Sequence, residues 1–264
     1  MTININQVLI LTDDSDITNY LPPAVETVRK FTKKNNDIFG QSNHRIWSNA
    51  ELEEFIGQEF GNEVLNAYTT IIPGAFKADL ARYCLVHKFG GWYFDINTEI
   101  VSMPDKSYAD KDMVLFREDF RSSKNTFSII NAIFYASKPE HPALEIAINQ
   151  IVENVKNKFY GRNCLTPTAT VLMGESVAKY GFSENDRTDY LVGDFYKSAN
   201  EPRHVYCWED GTVFAKHKSH ARGNAGADPF IKKTNRYNVY WDNRAMYGEK
   251  ILGDEAMSVA NFIQ

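Results

Sequence analysis

The sequence predicts an α/β fold in which a mostly parallel central sheet carries helices on both faces. Short apolar runs of strand length alternate with amphipathic segments of helix length in the N-terminal half. The run Trp92–Ile96 is apolar on both sides, which is typical of a strand in the middle of a sheet. Because no repeat and no Pro/Gly-rich linker interrupts the 264 residues, a single domain is expected.

The N-terminal elements follow one another as strand, helix, strand and helix. They are predicted at Gln7–Thr12, from Pro22 to about Lys34, at His44–Trp47 and from Asn49 to about Phe60. The first strand stops at a polar run that begins with Asp13, as strands at nucleotide sites often do. Ser48 or Asn49 caps the second helix, with Glu51 in its first turn.

The middle of the chain combines a helix with a central strand. Apolar spacing predicts a helix over Phe76–Lys88, and Gly90-Gly91 is expected to end it before the strand at Trp92–Ile96. Asp79 and Arg82 are spaced i, i+3, so they are expected to be neighbours on the helix surface, away from its apolar stripe.

The C-terminal half is predicted to contain two more strands, two more helices and a hairpin. They are expected at Met113–Arg117, at Ile129–Ala136, from Pro142, from Thr166-Pro167 to about Gly181, and at 204–216 with a turn at Asp210-Gly211. From His217 onward the sequence is irregular and rich in Gly, His, Asn and basic residues.

The charge of the chain is unevenly distributed. A net charge of -5 argues against a general nucleic-acid coat protein. Residues 216–250 hold 8 Lys/Arg and 3 Asp/Glu, however, a local net charge of +5 against -10 for the remainder. This basic region could bind the phosphates of a donor or of an acceptor, or it could be a solvated surface.

Cysteine usage and hydropathy predict a soluble cytoplasmic protein. The three cysteines, Cys84, Cys164 and Cys207, form no CxxC pair and are expected to be free thiols. The N-terminus has no basic region or cleavage site of a signal peptide, and no apolar run approaches the length of a membrane span.

Two oxygen-bearing side chains, Asp95 and Asn97, follow the central strand at i, i+2. Such a pair can hold a hard divalent cation and, through it, a diphosphate, although a turn capped by Asp and Asn gives the same pattern. Asp79 and Arg82 could likewise be a simple ion pair, or a clamp that binds sugar hydroxyls from both sides. Glu99 adds a further oxygen at the next i+2 step.

The run from Ala75 to Asn97, A-x-x-A-D-L-x-R-Y-x-L-x-x-x-x-G-G-W-Y-x-D-x-N, resembles the sugar-binding DXD region of glycosyltransferase family 32. That family includes yeast initiating α-mannosyltransferases and bacterial capsule and lipooligosaccharide transferases. The run is also similar to the core of the clostridial glucosylating toxins. Looser likenesses at Trp47, Asn131 and 138–142 extend the resemblance over roughly residues 40–145.

The resemblance implies a GT-A (Rossmann-like) fold and a retaining hexosyl- or pentosyltransferase. It would use a nucleotide-diphosphate sugar, with a UDP-sugar favoured, and Mn²⁺ or Mg²⁺. Residues 1–120 would form the nucleotide-sugar half and residues 121–264 the acceptor-side half. Because no well-placed nucleophile is evident, same-face substitution is favoured over a covalent intermediate.

The resemblance also implies site residues. Asp79 and Arg82 would hold the donor sugar hydroxyls, and with Asp95 they are the expected catalytic residues. Tyr93 would pack near the donor, and the remaining expected donor contacts are Thr12, Asp13, Trp47 and Lys216. Asp95, Asn97 and His217 would bind the metal, with His220 as the second choice for the third ligand.

Two departures from the family pattern bear on activity. Asn97 stands where the family has a second Asp, so the metal is expected to bind more weakly unless Glu99 compensates or basic residues neutralise the phosphates. Leu9–Asp13 replaces an aromatic-bearing segment, which leaves the base-stacking contact open.

The sequence leaves the acceptor open: a glycan or glycolipid, a protein side chain, or a hydroxymethylated DNA base. A non-catalytic sugar- or nucleotide-binding relative and a phosphoester hydrolase are the alternatives to a transferase.

Overall fold

A mixed nine-stranded sheet organises the part of the chain that the computed structural model describes: residues 2–10, 21, 23–39, 41–104, 106–119, 125–183, 189–198, 203–217 and 237–248. In chain order the strands are β1 (Ile3–Val8), β2 (Ser42–Trp47), β3 (Gly91–Phe94), β4 (Glu99–Ile100), β5 (Met113–Glu118), β6 (Ile129–Ala136), β7 (Tyr190–Lys197), β8 (His204–Cys207) and β9 (Val213–Lys216). Across the sheet they lie in the order β2-β1-β3-β6-β5-β7-β8-β9-β4.

Helices cover both faces of this sheet. They are α1 (Ala24–Phe39), α2 (Asn49–Thr70), α3 (Gly74–Phe89), α4 (Pro142–Lys156), α5 (Thr170–Ser183) and the short α6 (Tyr237–Asp242). One core joins the sheet to α2, α3, α4 and α5, and the other joins it to α1. Along β3, Tyr93 belongs to the first core while Trp92 and Phe94 belong to the second, so the predicted central strand is buried on both faces.

The predicted α/β class is confirmed, and the layered architecture fits a GT-A-like fold. The sheet is mixed rather than mostly parallel: β1 pairs in parallel with β2 and β3, and β5 with β7. The other five pairings are antiparallel. The predicted 204–216 hairpin accounts for one of them, since a short turn can join only antiparallel neighbours.

The first strand lies earlier in the sequence than predicted, at Ile3–Val8, and the residues from 11 to 20 lie outside the described part of the chain. Its polar side chains interrupt the apolar pattern by which a buried strand is predicted. Asn4 Nδ2 donates to the carbonyl of Phe89 at 2.8 Å, and Gln7 Oε1 lies 2.8 Å from His44 Nε2. These bonds satisfy polar groups inside the sheet, which an apolar pattern does not reveal.

Helix ends follow local chemistry in two places. Ser48, one of the two predicted caps, begins α2 and forms a capping box with Glu51. The helix bends at Gly61, close to the predicted end. α5 begins at Thr170 rather than at Thr166-Pro167. The sequence patterns did not predict β4, β7 or α6.

The strand directions bring several chain segments to one edge of the sheet. β3 and β5 are both antiparallel to β6, and β7 and β9 are both antiparallel to β8, while β5 and β7 are parallel. All four strands therefore end at the same edge, which we call the site edge. Asp95 follows β3 there, Glu118 ends β5, and Lys216 and His217 lie at the end of β9.

No helix within the described residues is both long and apolar enough to cross a membrane.

Candidate functional site

The turn after β3 presents the two predicted metal ligands. β3 ends at Phe94 because the chain turns: the N–H of Asp95 still donates to Ala132 on β6 at 2.8 Å, and Thr98 N–H closes a turn on the Asp95 carbonyl at 2.9 Å. Asp95 and Asn97 are both half-buried on this turn. The predicted strand is therefore shorter than Trp92–Ile96, and the oxygens it was expected to deliver lie on a turn at the site edge.

Asp79 and Arg82 are buried, so their expected place on the helix surface is wrong. The exposed fractions are 5% for Asp79 and 4% for Arg82, because α3 is enclosed between the sheet and its neighbouring helices. Arg82 Nη2 lies 3.1 Å from Asp79 Oδ1 and 3.3 Å from Asp95 Oδ1. One guanidinium thus connects the helix to the turn that carries Asp95.

Both oxygens of Asp79 are engaged by the protein. Asn131 Nδ2 donates to Oδ1 at 2.9 Å, and Thr168 Oγ1 donates to Oδ2 at 2.7 Å. Arg82 is held as firmly, since its Nη1 donates to the Asn131 carbonyl at 2.8 Å and its Nε to the Ala78 carbonyl at 3.0 Å. We call Asp79, Arg82, Asn131 and Thr168 the buried network.

Burial and neighbouring charges shift the pKa values of Asp79 and Arg82. Burial raises the pKa of Asp79, while Arg82, Thr168 and Asn131 oppose the increase. Burial alone would lower the pKa of Arg82, but the charges of Asp95, Tyr93 and Asp79 raise it above its usual range. Arg82 therefore stays charged, and one positive charge is divided between two carboxyl groups.

Tyr93 holds Asp95 from the strand side. Its hydroxyl donates to Asp95 Oδ1 at 3.0 Å, and Arg82 Cζ lies 4.7 Å from the centroid of its ring. Burial raises the pKa of Tyr93 well above its usual value, so this hydroxyl remains a donor. Arg82 and Tyr93 both engage Oδ1, and within the described residues no hydrogen bond reaches Oδ2. Asp95 thus has one fixed oxygen and one available oxygen.

His217 lies next to this turn. β4 and β9 are antiparallel with Glu99 opposite Lys216, so the following residue, His217, is level with Thr98. Its Nδ1 is 2.8 Å from the buried Tyr206 hydroxyl. His220 lies outside the described residues. Glu99 Oε2 is bonded to Arg203 Nη2 at 2.6 Å, so the carboxylate expected to compensate for Asn97 is already paired.

The donor set fits Mn²⁺ or Mg²⁺ in kind. It offers a carboxylate oxygen from Asp95, an amide oxygen from Asn97 and an imidazole from His217. Only one of these carries a negative charge, so phosphate oxygens and water would have to supply the remainder. Within the described ranges no three His, Cys, Asp or Glu side chains lie together in an arrangement that could hold a metal ion.

The other expected donor contacts are placed as follows. Trp47 is 4% exposed, packs on Phe55 and Phe89, and donates from Nε1 to Asn6 Oδ1 at 3.0 Å. Its ring therefore belongs to the core. Lys216 lies at the site edge, whereas Thr12 and Asp13 lie outside the described residues.

Three polar residues of this region had no predicted role. Asn131 and Thr168 complete the buried network, and Glu118 accepts from Thr170 Oγ1 at 2.8 Å at the end of β5, where burial raises its pKa. The signal for Asn131 was present in the sequence, because it is the one amide within the apolar run Ile129–Ala136. Glu118 had no comparable signal.

The chain is similar to a protein family, to a viral protein and to a solved structure. A family profile described as "Capsular polysaccharide synthesis protein" matches residues 18–161, more than half of the chain. A protein of Acanthamoeba polyphaga mimivirus, described as an uncharacterized glycosyltransferase, is 27% identical over 142 residues, 52% of each chain. The chain thus spans about half the length of this curated relative. Among solved structures, the PaToxG glycosyltransferase is similar over 67% of this chain and 69% of its own, with 15% identity and a TM-score of 0.46.

Proposed function

The chain belongs to the capsular polysaccharide synthesis protein family, and from this we propose that it is a glycosyltransferase using a nucleotide-diphosphate sugar, with a UDP-sugar favoured. The observation that carries the proposal is the state of Asp95. Its Oδ1 is fixed by Arg82 and Tyr93, while within the described residues no hydrogen bond reaches Oδ2. A carboxylate held in this way is preorganised for a cationic or hydroxyl-bearing ligand. The name of the mimivirus relative supports the same class of activity.

Asp95, Asn97 and His217 would hold Mn²⁺ or Mg²⁺, with weak affinity because one carboxylate is present. When bound, such a cation neutralises charge on the leaving diphosphate. Lys216, beside His217 at the end of β9, would provide a second positive charge for the phosphates. The ribose or the metal is the proposed partner of Asp95.

The contacts of Asp79 and Arg82 support a division of roles at the donor sugar. Arg82 positions Asp95, because removal of its guanidinium would release Oδ1 from one of its two partners. Asp79 is buried and already accepts from Asn131 at Oδ1 and from Thr168 at Oδ2, which leaves it little capacity for sugar hydroxyls. We therefore propose that Asp79 forms the floor of the sugar site and that Arg82 acts mainly through Asp95.

The proposed reaction retains the anomeric configuration. The bond between the anomeric carbon and the diphosphate oxygen breaks, and the acceptor oxygen bonds to the same face of that carbon. The proton of the acceptor hydroxyl passes to the leaving phosphate oxygen, so no residue of the chain is consumed. The favoured acceptor is a glycan or glycolipid hydroxyl. A protein side chain or a hydroxymethylated DNA base is less favoured, since the family description names polysaccharide synthesis.

A second candidate, a non-catalytic sugar- or nucleotide-binding protein, is favoured by one observation, the amide at Asn97. One experiment separates the two. The protein is incubated with a panel of UDP- and GDP-sugars and Mn²⁺, and release of the nucleoside diphosphate is followed. A glycosyltransferase is expected to hydrolyse one donor slowly, and Asp95→Ala to abolish that hydrolysis.

Asp189→Ala is the matched control for this experiment. Asp189 is an exposed carboxylate that pairs with Lys111 next to the start of β7, at the opposite edge of the sheet. It should therefore leave hydrolysis unchanged. Thermal shifts with donors, without turnover under any donor and metal combination, would establish the binding protein instead.

A further inference from the structure

A concave surface lies apart from the buried network and the turn of Asp95. It is an open groove of about 1320 Å³ between the C-terminal part of α4, the loop 157–166 and the first turns of α5. Its lining contains none of the donor-site residues named above. A drug-sized ligand occupies a site of about 300–1,000 Å³, so the groove has room for a longer ligand.

The lining of the groove is rich in side chains that match hydroxyl groups. It includes five carboxamides: Asn125, Gln150, Asn154, Asn157 and Asn163. A carboxamide donates and accepts at once, as a hydroxyl does. Two of them keep one end available within the described residues: Asn163 Oδ1 accepts from Leu165 N–H at 3.0 Å, which leaves its amino group, and Gln150 uses only Nε2.

An aromatic ring and a balanced pair of charges complete the lining. Phe159 is 44% exposed and provides an apolar face against which a sugar ring can stack. Arg162 and Glu175 are both exposed and their formal charges cancel. A neutral, hydroxyl-rich ligand fits this lining better than a polyanion, which would meet Glu175 without a surplus of cations.

The loop that carries Phe159 is built to hold the ring in place. Phe159 N–H donates to the Asn154 carbonyl at 2.7 Å, and its own carbonyl accepts from the Tyr247 hydroxyl. Two residues later Gly161 has φ +61, and a Cβ there would lie 2.4 Å from Thr166 Cβ. The exposed ring is therefore presented by a fixed backbone, which reduces the entropy cost of binding.

The groove is connected to the donor site by one short segment. Thr166 lines the groove, and two residues further on Thr168 donates to the Asp79 carboxylate. Tyr83, which neighbours Arg82 on α3, also donates to the Thr168 carbonyl at 3.1 Å. A ligand in the groove thus lies against the segment that closes one side of the buried network.

From these observations we propose that the groove binds the acceptor as an uncharged oligosaccharide several sugar units long, with Phe159 as the stacking surface. The role of the saccharide as the acceptor rests on the proposed transferase function, whereas the saccharide binding itself does not.

The experiment uses saturation-transfer NMR on the full chain with maltohexaose, cellohexaose and chitohexaose as probes, and with a hyaluronan hexasaccharide as the acidic comparison. At least one neutral probe is expected to bind, and the acidic one to bind more weakly. Phe159→Ala should weaken binding about fivefold or more through loss of stacking. The matched control Ile72→Ala removes an equally exposed apolar side chain (42%) outside the lining and should change nothing.

Donor hydrolysis, measured in parallel, separates this proposal from the preceding one. Donor hydrolysis by the unaltered chain, together with saccharide binding that is weakened by Phe159→Ala but not by Ile72→Ala, is the expected pair of results. If no neutral hexasaccharide binds, or if Phe159→Ala and Ile72→Ala behave alike, the groove proposal fails even when the donor is hydrolysed. Saccharide binding without hydrolysis of any donor would support a glycan site in the groove and contradict the proposed transferase function.

Discussion

The buried network and the turn of Asp95 use the same kinds of side chain in opposite ways. In the network, each oxygen of Asp79 has a protein partner, and the three donor nitrogens of Arg82 are all engaged. On the turn, Asp95 uses one oxygen for the protein, and among the residues that the structure describes none bonds to the other. Satisfied groups hold a structure in place, whereas groups with open bonding capacity can take a ligand.

Within this sequence motif, function is expected at the side chain that keeps bonding capacity at the site edge. Asp79, Arg82 and Asp95 fall in a single stretch of the chain, yet only Asp95 lies at the site edge with an atom to offer. The expected signatures are therefore different: loss of stability for the network, and loss of activity for the turn.

The largest expected effect is on stability, from Arg82→Met. Asp79 would keep its burial but lose its cation, and removal of one partner of a buried pair costs about 3–5 kcal/mol. Urea unfolding followed by circular dichroism measures this cost. Arg82→Lys, which keeps the charge but not the fork of donors, should fall between the variant and the wild type. A loss below about 1 kcal/mol would show that the network does not stabilise the fold.

Asp95→Asn should show the opposite balance. Donor hydrolysis is expected to fall about 100-fold, since a preorganised charged group is removed from the site edge. The free energy of unfolding should change by less than about 1.5 kcal/mol, because Arg82 retains Asp79 as a partner. Parallel urea titrations and nucleotide-release assays give both numbers. A large stability loss with intact hydrolysis would reverse the roles of the two regions.

The pH dependence provides a test outside both regions. His141 caps α4 by accepting from Ala143 N–H at 3.2 Å, and burial lowers its pKa from 6.5 to about 4. The unfolded chain binds this proton more readily, so stability is fully present above pH 6.5 and is lost as pH falls towards 4. Asp79 has the opposite sign, because its raised pKa removes stability as pH rises.

His141→Asn keeps a capping side chain but cannot titrate. Between pH 7.5 and pH 5 it should lose about 1–2 kcal/mol less stability than the wild type. Unfolding curves at the two pH values measure the difference. Equal losses in both proteins would assign the acid sensitivity to other groups, such as His44, whose pKa is also lowered to about 4.

The smallest expected effect is a gain, from Asn97→Asp. A second carboxylate at the site edge should lower the Mn²⁺ concentration that gives half-maximal donor hydrolysis, by about tenfold. Asn97→Ala is the control, and it should raise that concentration or leave it unchanged. No difference between Asp and Asn at this position would mean that residue 97 does not contact the metal.

The sequence predicted the local structure of this region better than its contacts. The helix, the glycine break and the strand buried on both faces follow from spacing and composition between residues 74 and 97. The burial of Asp79 did not, because its partners Asn131 and Thr168 are 52 and 89 residues away in the chain. β1 was misplaced for the same reason, since the bonds that satisfy its polar residues come from α3 and β2. The roles of Lys216 and His217 stay predictions, as does the metal.

The short segment with Thr166 on the groove and Thr168 on the Asp79 carboxylate has a thermodynamic consequence. If a ligand in the groove changes the affinity of the donor site by some factor, the donor changes the affinity of the groove by the same factor, whichever ligand binds first. If an oligosaccharide tightens donor binding, the donor must tighten oligosaccharide binding by an equal factor. Such coupling through Thr166 and Thr168 would reduce hydrolysis of the donor when no acceptor is bound.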